Sequence, residues 1–283
     1  MFKKIAFSFV IWRISLFTVA FVSIYFLPIF GARFPYYDRV LEITKIPNWI
    51  WGFGNFDGVH YLRIAQDGYL AQYSQAFFPL FSILIRTFAS IFPKIDNLDT
   101  NIFTDPSYFY SGLILSNFFF LVALYFFYKL ISIDFKKDVA FLSVISLLVF
   151  PTSFYFGAIY TESLFLLLAA SSIYLVRKSN FFWAGILISL ATATRVFGVL
   201  LIPLYLIEAF KSGKKLNLLW VLITPLGILA YMYFLKIEYG NAFYFLTSQS
   251  IFGAGRSSTE IILLPQVIYR YIKIFLTTKV FSL

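Results

Sequence analysis

Long apolar stretches alternate with short polar ones along the chain, and the first of them begins at the amino terminus. Residues 1–30 have two lysines near their start, at positions 3 and 4, and continue in an apolar run longer than that of a secretory signal peptide, without a cleavage site of small residues. We interpret this run as a first membrane-spanning helix that is retained. Arg13 lies inside it and either extends to the cytoplasmic headgroups or faces other helices; of these, we favour the first.

The remaining apolar stretches predict six further crossings. Residues 108–131 and 216–235 are each long enough for one spanning helix. Residues 139–176 and 181–210 are bounded at both ends by basic residues, which favour the cytoplasmic side, so each of these segments is expected to cross twice. The sum is seven crossings, with the amino terminus in the cytoplasm.

The segment 181–210 is short for two crossings. Two helices of about 15 residues each reach only about 22 Å, whereas the hydrocarbon core is about 30 Å thick. We therefore expect this pair to be recessed from one membrane surface, with Arg195 at its outward end. Such a recess would leave either a cavity or a thinned membrane at that surface.

Residues 77–93 are apolar but do not predict another span. Pro79 lies near the start of this segment and Arg86 at its centre. A crossing here would also place all the later basic clusters on the outer side, against the bias of membrane proteins for cytoplasmic Lys and Arg. The segment is therefore predicted to form an amphipathic helix at the outer membrane interface.

This arrangement makes residues 1–283 one membrane domain with two large extracytoplasmic segments, 31–108 and 236–283. Ten basic and three acidic residues fall on the predicted cytoplasmic side; with Arg13 set aside, twelve basic and ten acidic residues fall on the outer side. The excess of positive charge therefore has the sign that the predicted orientation requires.

Composition supports the membrane assignment and excludes several kinds of site. The chain has 60% hydrophobic and 13% charged residues and a mean hydropathy of +0.83, which predicts an all-α polytopic membrane protein. It has no cysteine and one histidine, which excludes disulfides, zinc–thiolate sites and imidazole metal cages. No basic run lies in a polar segment and no glycine-rich phosphate loop occurs, so neither nucleic acid nor a Rossmann-type nucleotide-sugar site is predicted.

A metal site is not expected either. The carboxylates that a divalent ion would need are scattered through the first external segment and its end, at Asp67, Asp96, Asp99 and Asp105. Their spacing matches no known metal-binding loop. We therefore predict neither a metal nor another cofactor.

The densest group of polar residues is FDGVHYLRIAQDGY, residues 56–69. Its periodicity predicts a helix that begins with Asp57 as N-cap, with His60 and Arg63 on a shared side. In one interpretation, Asp57 only caps the helix and Arg63 forms a surface pair with Asp67. In the other, Asp57 is a general base at the membrane surface that takes a proton from an acceptor hydroxyl. The spacing alone leaves both interpretations open.

Three further places carry candidate chemistry. Glu162 begins a predicted spanning helix, and it either forms a simple helix start or pairs with Arg195 or an acceptor sugar. Arg195 is expected to be functional, because an ionisable residue at the tip of short membrane helices is costly. Gln249 precedes FGAGRSS, residues 252–258, which is either a flexible turn or a loop whose backbone amides and Arg256 bind a phosphate or sugar.

Four segments together resemble the PIG-V mannosyltransferase family, whose eukaryotic members add the second mannose in the synthesis of GPI anchors. In chain order they are the segment 56–69, AFFPLF (76–81), YTESLF (160–165) and ATATRVFG (191–198). The resemblance covers most of the chain from the first span to about Arg256. Phe56 stands where the family usually has Trp, and Ser82 where a second Pro commonly follows.

The resemblance implies a fold of the GT-C group, in which polytopic glycosyltransferases use polyprenyl- or dolichyl-phosphate sugars and carry a key acidic residue in the first external loop. It implies that Asp57 is the base for inverting transfer of mannose to an extracytoplasmic glycan or glycolipid at the membrane. External guanidinium groups would then compensate the charge of the leaving phosphate. The residues expected to bind substrates are His60, Tyr61, Arg63, Asp67, Glu162, Arg195, Gln249 and Arg256.

Two other hypotheses remain open: a GT-C enzyme that uses another lipid-linked sugar, and a lipid or sugar transporter or flippase without catalysis. The ionisable residues gather at the predicted outer face rather than at the midplane, which favours an enzyme. The protein is expected in the cytoplasmic membrane of a prokaryote or the endoplasmic reticulum of a eukaryote. Because the chain stops at KVFSL, where the last segment turns apolar again, and family members continue with further spans, we expect a truncated chain.

Overall fold

The chain is helical in a computed structural model that describes residues 1–26, 46–92, 105–249 and 263–277. No strand occurs in this described part. Short 3₁₀ turns join several of the α-helices. The helices are α1 (Phe2–Phe26), α2 (Asn48–Trp51), α3 (Asp57–Asp67), α4 (Pro79–Ala89), α5 (Pro106–Ile131), α6 (Lys137–Val149), α7 (Glu162–Arg177), α8 (Phe181–Thr192), α9 (Leu201–Lys211), α10 (Lys215–Leu219), α11 (Leu226–Tyr239), α12 (Tyr244–Thr247) and α13 (Leu264–Thr277).

Three helical segments are long and apolar enough to cross a membrane: α1, α5 and the stretch Leu216–Tyr239, which includes α11. Many of their apolar side chains point away from the protein. Phe7 and Val19 in α1 are 68% and 66% exposed, and a surface of this kind needs lipid or another apolar partner to cover it. The protein is therefore an all-α polytopic membrane protein, which confirms the predicted fold class.

Each segment that is predicted to cross the membrane contains α-helix, but four of these helices are shorter than the hydrocarbon core is thick. α6, α7, α8 and α9 have 13, 16, 12 and 11 residues. At 1.5 Å per residue they are about 16–24 Å long, less than the thickness of the hydrocarbon core. The seven crossings therefore stay a prediction. α4 has 11 residues, as few as α9, so its length does not separate it from the predicted crossings, and the exclusion of a span there also stays a prediction.

α5 is the central helix, and it packs against α1, α4, α6 and α7. Phe109, near its start, is buried in a cluster with Phe81 of α4. Phe120, near its middle, is buried in a second cluster with Trp12 of α1 and Val144 of α6. The start of α5 thus supports the external segment, and its second half holds the helix bundle together.

Arg13 faces the helix bundle, which corrects the interpretation favoured from the sequence. Only 7% of this residue is exposed. One Nη donates a hydrogen bond to the carbonyl oxygen of Gly157 at 3.0 Å, and the guanidinium carbon lies 3.9 Å and 4.4 Å from the ring centroids of Phe17 and Phe53. Because the ring faces and the carbonyl compensate for part of the lost hydration, the side chain does not need to reach the headgroups.

The two ends of α7 carry different ion pairs. At its carboxyl end Arg177 pairs with Asp134, just after α5, at 2.6 Å. At its amino end Glu162 pairs with Arg195 at 2.9 Å. The 16 residues of α7 place these pairs about 24 Å apart. The loops predicted to be cytoplasmic therefore gather at the Arg177 end, and the candidate catalytic residues at the Glu162 end.

Gly227 marks a close approach of α11 to α8. A Cβ at this position would lie 1.9 Å from the backbone oxygen of Ser189 and 2.7 Å from Oγ1 of Thr192. We expect Gly227→Ala to lower the free energy of unfolding by about 1–3 kcal/mol, because the two helices must separate. Thermal unfolding in lipid nanodiscs measures this loss of stability. Gly52→Ala is the matched control, since Gly52 has helical backbone angles and no atom within 4 Å of its added Cβ; equal losses in both variants would contradict the prediction.

Candidate active site

Helix α3 begins at Asp57 itself, so the prediction of Asp57 as N-cap is wrong by one residue. The cap position belongs to Phe56, whose φ of 54° is uncommon for a residue other than glycine. Asn55 stabilises this turn, because its Oδ1 accepts a hydrogen bond from the Phe56 N–H at 2.8 Å. Asp57 therefore stands in the first turn of α3, where the helix dipole favours its negative charge.

The turn before α3 is tied to the segment that precedes α7. The N–H of Ile159 donates to the carbonyl of Phe53 at 2.8 Å, and the hydroxyl of Tyr160 donates to the carbonyl of Asn55 at 3.1 Å. Gly58 permits this approach, since a Cβ there would lie 3.1 Å from the oxygen of Ile159. Burial raises the pKa of the Tyr160 hydroxyl, so it stays protonated as a donor. These bonds hold the first turn of α3 beside the start of α7.

Helix α4 holds α3 from another side. The hydroxyl of Ser82 donates to the carbonyl of Tyr61 at 2.9 Å, and the guanidinium of Arg86 donates to the carbonyls of Ala65 and Gln66 in the last turn of α3. A cation at this place also meets the negative end of the helix dipole. Ser82 is one of the positions where the sequence departs from the resembling family, and here it makes a hydrogen bond that proline could not.

An ion pair lies next to Asp57. Glu162 is the first residue of α7, Arg195 follows α8, and one Nη of Arg195 lies 2.9 Å from Oε1 of Glu162. The second carboxylate oxygen of Glu162 is buried and has no hydrogen-bond partner among the described residues. Tyr61 approaches the same corner through a hydrogen bond with Thr161, and burial raises the pKa of its hydroxyl. The pairing of Glu162 with Arg195, one of the alternatives drawn from the sequence, is thus present.

Two cavities meet at Asp57. The first, which we call the Arg195 cavity, has a volume of about 300 Å³. It is lined by Asp57, Tyr61, Ala76, Phe77, Phe78, Thr194, Arg195, Val196, Phe197 and Gln249. The second, the tyrosine cavity, has a volume of about 340 Å³ and is lined by Phe56, Asp57, Tyr155, Tyr160 and Glu162. One carboxylate is therefore accessible from both.

A third cavity of about 600 Å³, the apolar cavity, adjoins the Arg195 cavity. At two places one residue lines the Arg195 cavity and its neighbour in the sequence lines the apolar cavity. These neighbours are Phe78 and Pro79, and Thr194 and Ala193. The walls come from α3, α4 and α11 and include Ile64, Leu80, Ile83, Ala230, Tyr231 and Phe234. An elongated apolar group can therefore lie next to a site that offers a cation.

The residues predicted from the sequence to bind substrates are only partly brought together. Tyr61, Arg195 and Gln249 share the Arg195 cavity, and Glu162 lines the tyrosine cavity. Gln249 reaches this place through a hydrogen bond from Nε2 to the carbonyl of Ala76 at 3.3 Å. His60 does not line either cavity, but its ring stacks on Phe77 with centroids 4.6 Å apart.

Arg63 and Asp67 lie on the exposed side of α3 and line none of these three cavities. The predicted surface pair between them is not among the ion pairs of the described residues. Their assignment to substrate binding stays a prediction. Arg256 and the loop 252–258, together with Asp96 and Asp99, lie outside the described residues; within those residues no three metal-ligating side chains lie together.

His60 is expected to make the stability of the protein depend on pH. Burial, with a smaller contribution from the charge of Arg63, lowers the pKa of His60 from 6.5 to about 4. The unfolded state therefore binds more protons between these two values, and stability is lost as the pH falls through this range. We expect the melting temperature of His60→Gln to decrease less than that of the wild type between pH 7 and pH 5 in the same nanodiscs. Parallel decreases in the two proteins would show that His60 is not the group responsible.

Two residues of the site were not singled out from the sequence. Tyr155 and Phe77 line the cavities beside Asp57, but in the sequence they are two aromatic residues among 58 Phe and Tyr residues. A weak signal exists for Tyr155, since it lies in the same polar turn as Glu162. Only the fold brings this turn against the start of α3.

Comparison with known proteins identifies the chain. The sequence model of the Mannosyltransferase (PIG-V) family matches residues 39–218, which is more than half of the chain and includes Asp57, Glu162 and Arg195. No curated protein and no solved structure gives a significant match. The protein therefore belongs to the PIG-V mannosyltransferase family and is a membrane glycosyltransferase.

Proposed function

We propose that the protein transfers mannose, with inversion, from a polyprenyl- or dolichyl-phosphate carrier to an extracytoplasmic glycan or glycolipid, with Asp57 as the base. The observation that carries this proposal is the position of Asp57 between the Arg195 cavity and the tyrosine cavity, with the apolar cavity adjoining the first. Family membership makes the chain a glycosyltransferase, so the transporter hypothesis is set aside.

The donor would occupy the apolar cavity and the Arg195 cavity together. The prenyl chain needs a site that keeps it out of water, and the apolar cavity is lined mainly by aliphatic and aromatic side chains. The phosphate needs a charge-compensating donor, and Arg195 offers a guanidinium in the lining of the Arg195 cavity. Gln249, in the same cavity, provides a further polar group for the sugar.

Asp57 is the better candidate for the base of the two carboxylates. Glu162 is engaged by the guanidinium of Arg195 at 2.9 Å and lines one of the two cavities, whereas Asp57 lines both. In the proposed step the acceptor oxygen forms a bond to the anomeric carbon, the bond from that carbon to the phosphate oxygen breaks, and Asp57 takes the proton of the acceptor hydroxyl. The electron pair leaves with the phosphate, whose added charge Arg195 compensates. One displacement of this kind inverts the anomeric configuration.

The site is proposed to face the extracytoplasmic side. It lies at the amino end of α7, about 24 Å from the end at which Arg177 pairs with Asp134. The basic loops at that other end, by the bias of membrane proteins for cytoplasmic Lys and Arg, are placed in the cytoplasm. A lipid-linked sugar on the outer leaflet would therefore reach Asp57 from the membrane.

The donor is tested with purified protein in lipid nanodiscs. Polyprenyl-phosphate-[¹⁴C]mannose is supplied together with membranes of the native host from which the gene has been deleted, so that unmodified acceptor is present. We expect transfer from this donor but not from GDP-[¹⁴C]mannose, and a β-linked donor should give a product that α-mannosidase cleaves. Failure to transfer mannose from the lipid donor would refute the proposed donor, and a β-linked product would refute the inversion.

A further inference from the structure

We infer that the tyrosine cavity binds the acceptor, and that the group it binds there is an uncharged sugar ring. This inference rests on the proposed function, because it assigns the second substrate of the same site. It depends on the lining of the cavity, on the geometry of displacement, and on the ion pair that stands between the two cavities.

The lining of the tyrosine cavity matches an uncharged sugar. Three of its residues, Phe56, Tyr155 and Tyr160, are aromatic, and the other two, Asp57 and Glu162, are acidic. Aromatic side chains offer flat apolar surface to the C–H face of a sugar ring, and carboxylate oxygens accept hydrogen bonds from its hydroxyls. Among the residues that the structure describes, no basic side chain lines this cavity. A phosphorylated or acidic sugar would meet two carboxylates here, while the cation that pairs with Glu162 lines the other cavity, and this selects against an anionic sugar.

Contacts with each other and with the backbone hold the two tyrosine rings of the tyrosine cavity in place. The rings of Tyr155 and Tyr160 lie edge to face, with centroids 5.3 Å apart and planes at 70°. Tyr160 is anchored by its hydrogen bond to the carbonyl of Asn55. Tyr155 is 38% exposed, which leaves part of its ring accessible to a ligand.

Displacement geometry assigns the two cavities to different substrates. In a single in-line displacement, the attacking oxygen and the leaving oxygen lie on opposite sides of the anomeric carbon. The leaving phosphate belongs with the cation, in the Arg195 cavity. The acceptor hydroxyl must then come from the other side while remaining within reach of the base. The tyrosine cavity suits this role, because Asp57 lines it and also lines the Arg195 cavity, whereas Arg195 does not line it.

The Glu162–Arg195 ion pair separates the two substrates. Of the three cavities described above, Arg195 lines the Arg195 cavity alone and Glu162 the tyrosine cavity alone, although the two side chains are 2.9 Å apart. The pair therefore presents its positive side to the phosphate of the donor and its negative side to the hydroxyls of the acceptor. A phosphate would be attracted on one side of this pair and repelled on the other.

Cysteine labelling tests the assignment directly, because the native chain contains no cysteine and gives no background. Tyr155→Cys reports on the tyrosine cavity and Val196→Cys on the Arg195 cavity. Phe154→Cys is the matched control, since Phe154 is 40% exposed, neighbours Tyr155 and lines none of the described cavities. The rate of reaction with a fluorescent maleimide is measured in nanodiscs with octyl mannoside, with octyl mannoside 6-phosphate or with polyprenyl phosphate.

We expect octyl mannoside to slow the labelling of Tyr155→Cys at least threefold, and polyprenyl phosphate to slow that of Val196→Cys by a similar factor. Octyl mannoside should not slow the labelling of Val196→Cys, and polyprenyl phosphate should not slow that of Tyr155→Cys. Octyl mannoside 6-phosphate should not slow the labelling of Tyr155→Cys. The control Phe154→Cys should react at the same rate with all three ligands. The inference is overturned if polyprenyl phosphate protects Tyr155→Cys, if the phosphorylated mannoside protects it as well as the neutral one, or if the neutral mannoside has no effect.

A second pair of variants tests the inference independently, in case the cysteine variant does not fold. In the transfer assay, Tyr155→Ala should raise the KM for the acceptor about tenfold and leave the KM for the lipid donor unchanged, whereas Tyr155→Phe keeps the ring and should behave like the wild type. A change in the donor KM alone would contradict the inference. Absence of any transfer by the wild type would refute the proposed function, while the labelling result would still decide whether the tyrosine cavity binds a sugar.

Discussion

Replacing Asp57 by asparagine is expected to lower kcat for mannose transfer by about 10²- to 10⁴-fold, the range for the loss of a general base. Asparagine keeps the size of the side chain and an acceptor oxygen, but it does not take a proton at neutral pH. The KM for the lipid donor should change little, because Asp57 acts on the acceptor hydroxyl rather than on the phosphate. Initial rates with polyprenyl-phosphate-[¹⁴C]mannose in nanodiscs measure both constants.

Asp138→Asn is the matched control for this variant. Asp138 is also an acidic residue in the first turn of a helix, here α6, but it is exposed and lines none of the three cavities. The Asp138→Asn variant therefore removes a carboxylate near a helix N-terminus, as Asp57→Asn does, but at a position away from the candidate active site. A kcat of Asp57→Asn within tenfold of the wild type, or an equal decrease in Asp138→Asn, would show that Asp57 is not the base.

Replacing Arg195 by alanine is expected to lower kcat by about 10²- to 10³-fold, the range for removal of one preorganised donor to a developing negative charge. Lysine at this position should restore only part of the rate, because an ammonium supplies the charge but not the planar pair of donors. The double variant Arg195→Ala with Glu162→Gln separates two explanations. If Arg195 acts only by neutralising Glu162, the double variant recovers activity; if it acts on the phosphate, the rate stays low.

Arg177→Ala serves as the control for loss of an ion pair. Arg177 and Asp134 lie 2.6 Å apart, with side chains 35% and 47% exposed, at the opposite end of α7. An exposed pair of this kind contributes on the order of 0–1 kcal/mol to stability. We expect its removal to leave kcat unchanged. A decrease in kcat similar to that of Arg195→Ala would assign both effects to packing of α7 rather than to the phosphate.

The helices could be predicted from the sequence because lipid imposes a simple rule on them. Apolar runs such as those of α1 and α5 must satisfy their backbone groups internally, so their length and position follow from hydropathy. The start of α3 was less well defined. Asp57 favours a helix N-terminus in any sequence, but the cap position depends on the φ of Phe56, which the hydrogen bond from Phe56 to Asn55 stabilises.

Side-chain partners far apart in the sequence were the hardest to predict. Glu162 and Arg195 are separated by 33 positions, and their pairing was one of three alternatives because helix starts favour acids in any case. The position of Arg13 was predicted wrongly, since long basic side chains in membrane helices commonly extend to the headgroups and nothing near Arg13 in the sequence reveals its partner. The tyrosine cavity required the fold itself, because its two acidic residues and three aromatic residues come from two distant segments.

The burial of Arg13 has a consequence for synthesis of the protein. Its hydrogen-bond partner, Gly157, is 144 positions further along the chain. At the usual rate of about 5–20 residues per second, translation needs on the order of ten seconds to reach this partner. During that interval a cation in the first spanning helix lacks the carbonyl that accepts its hydrogen bond, and exposure to lipid would be costly. We therefore expect the first helix to take its final place only after the turn before α7 has been made.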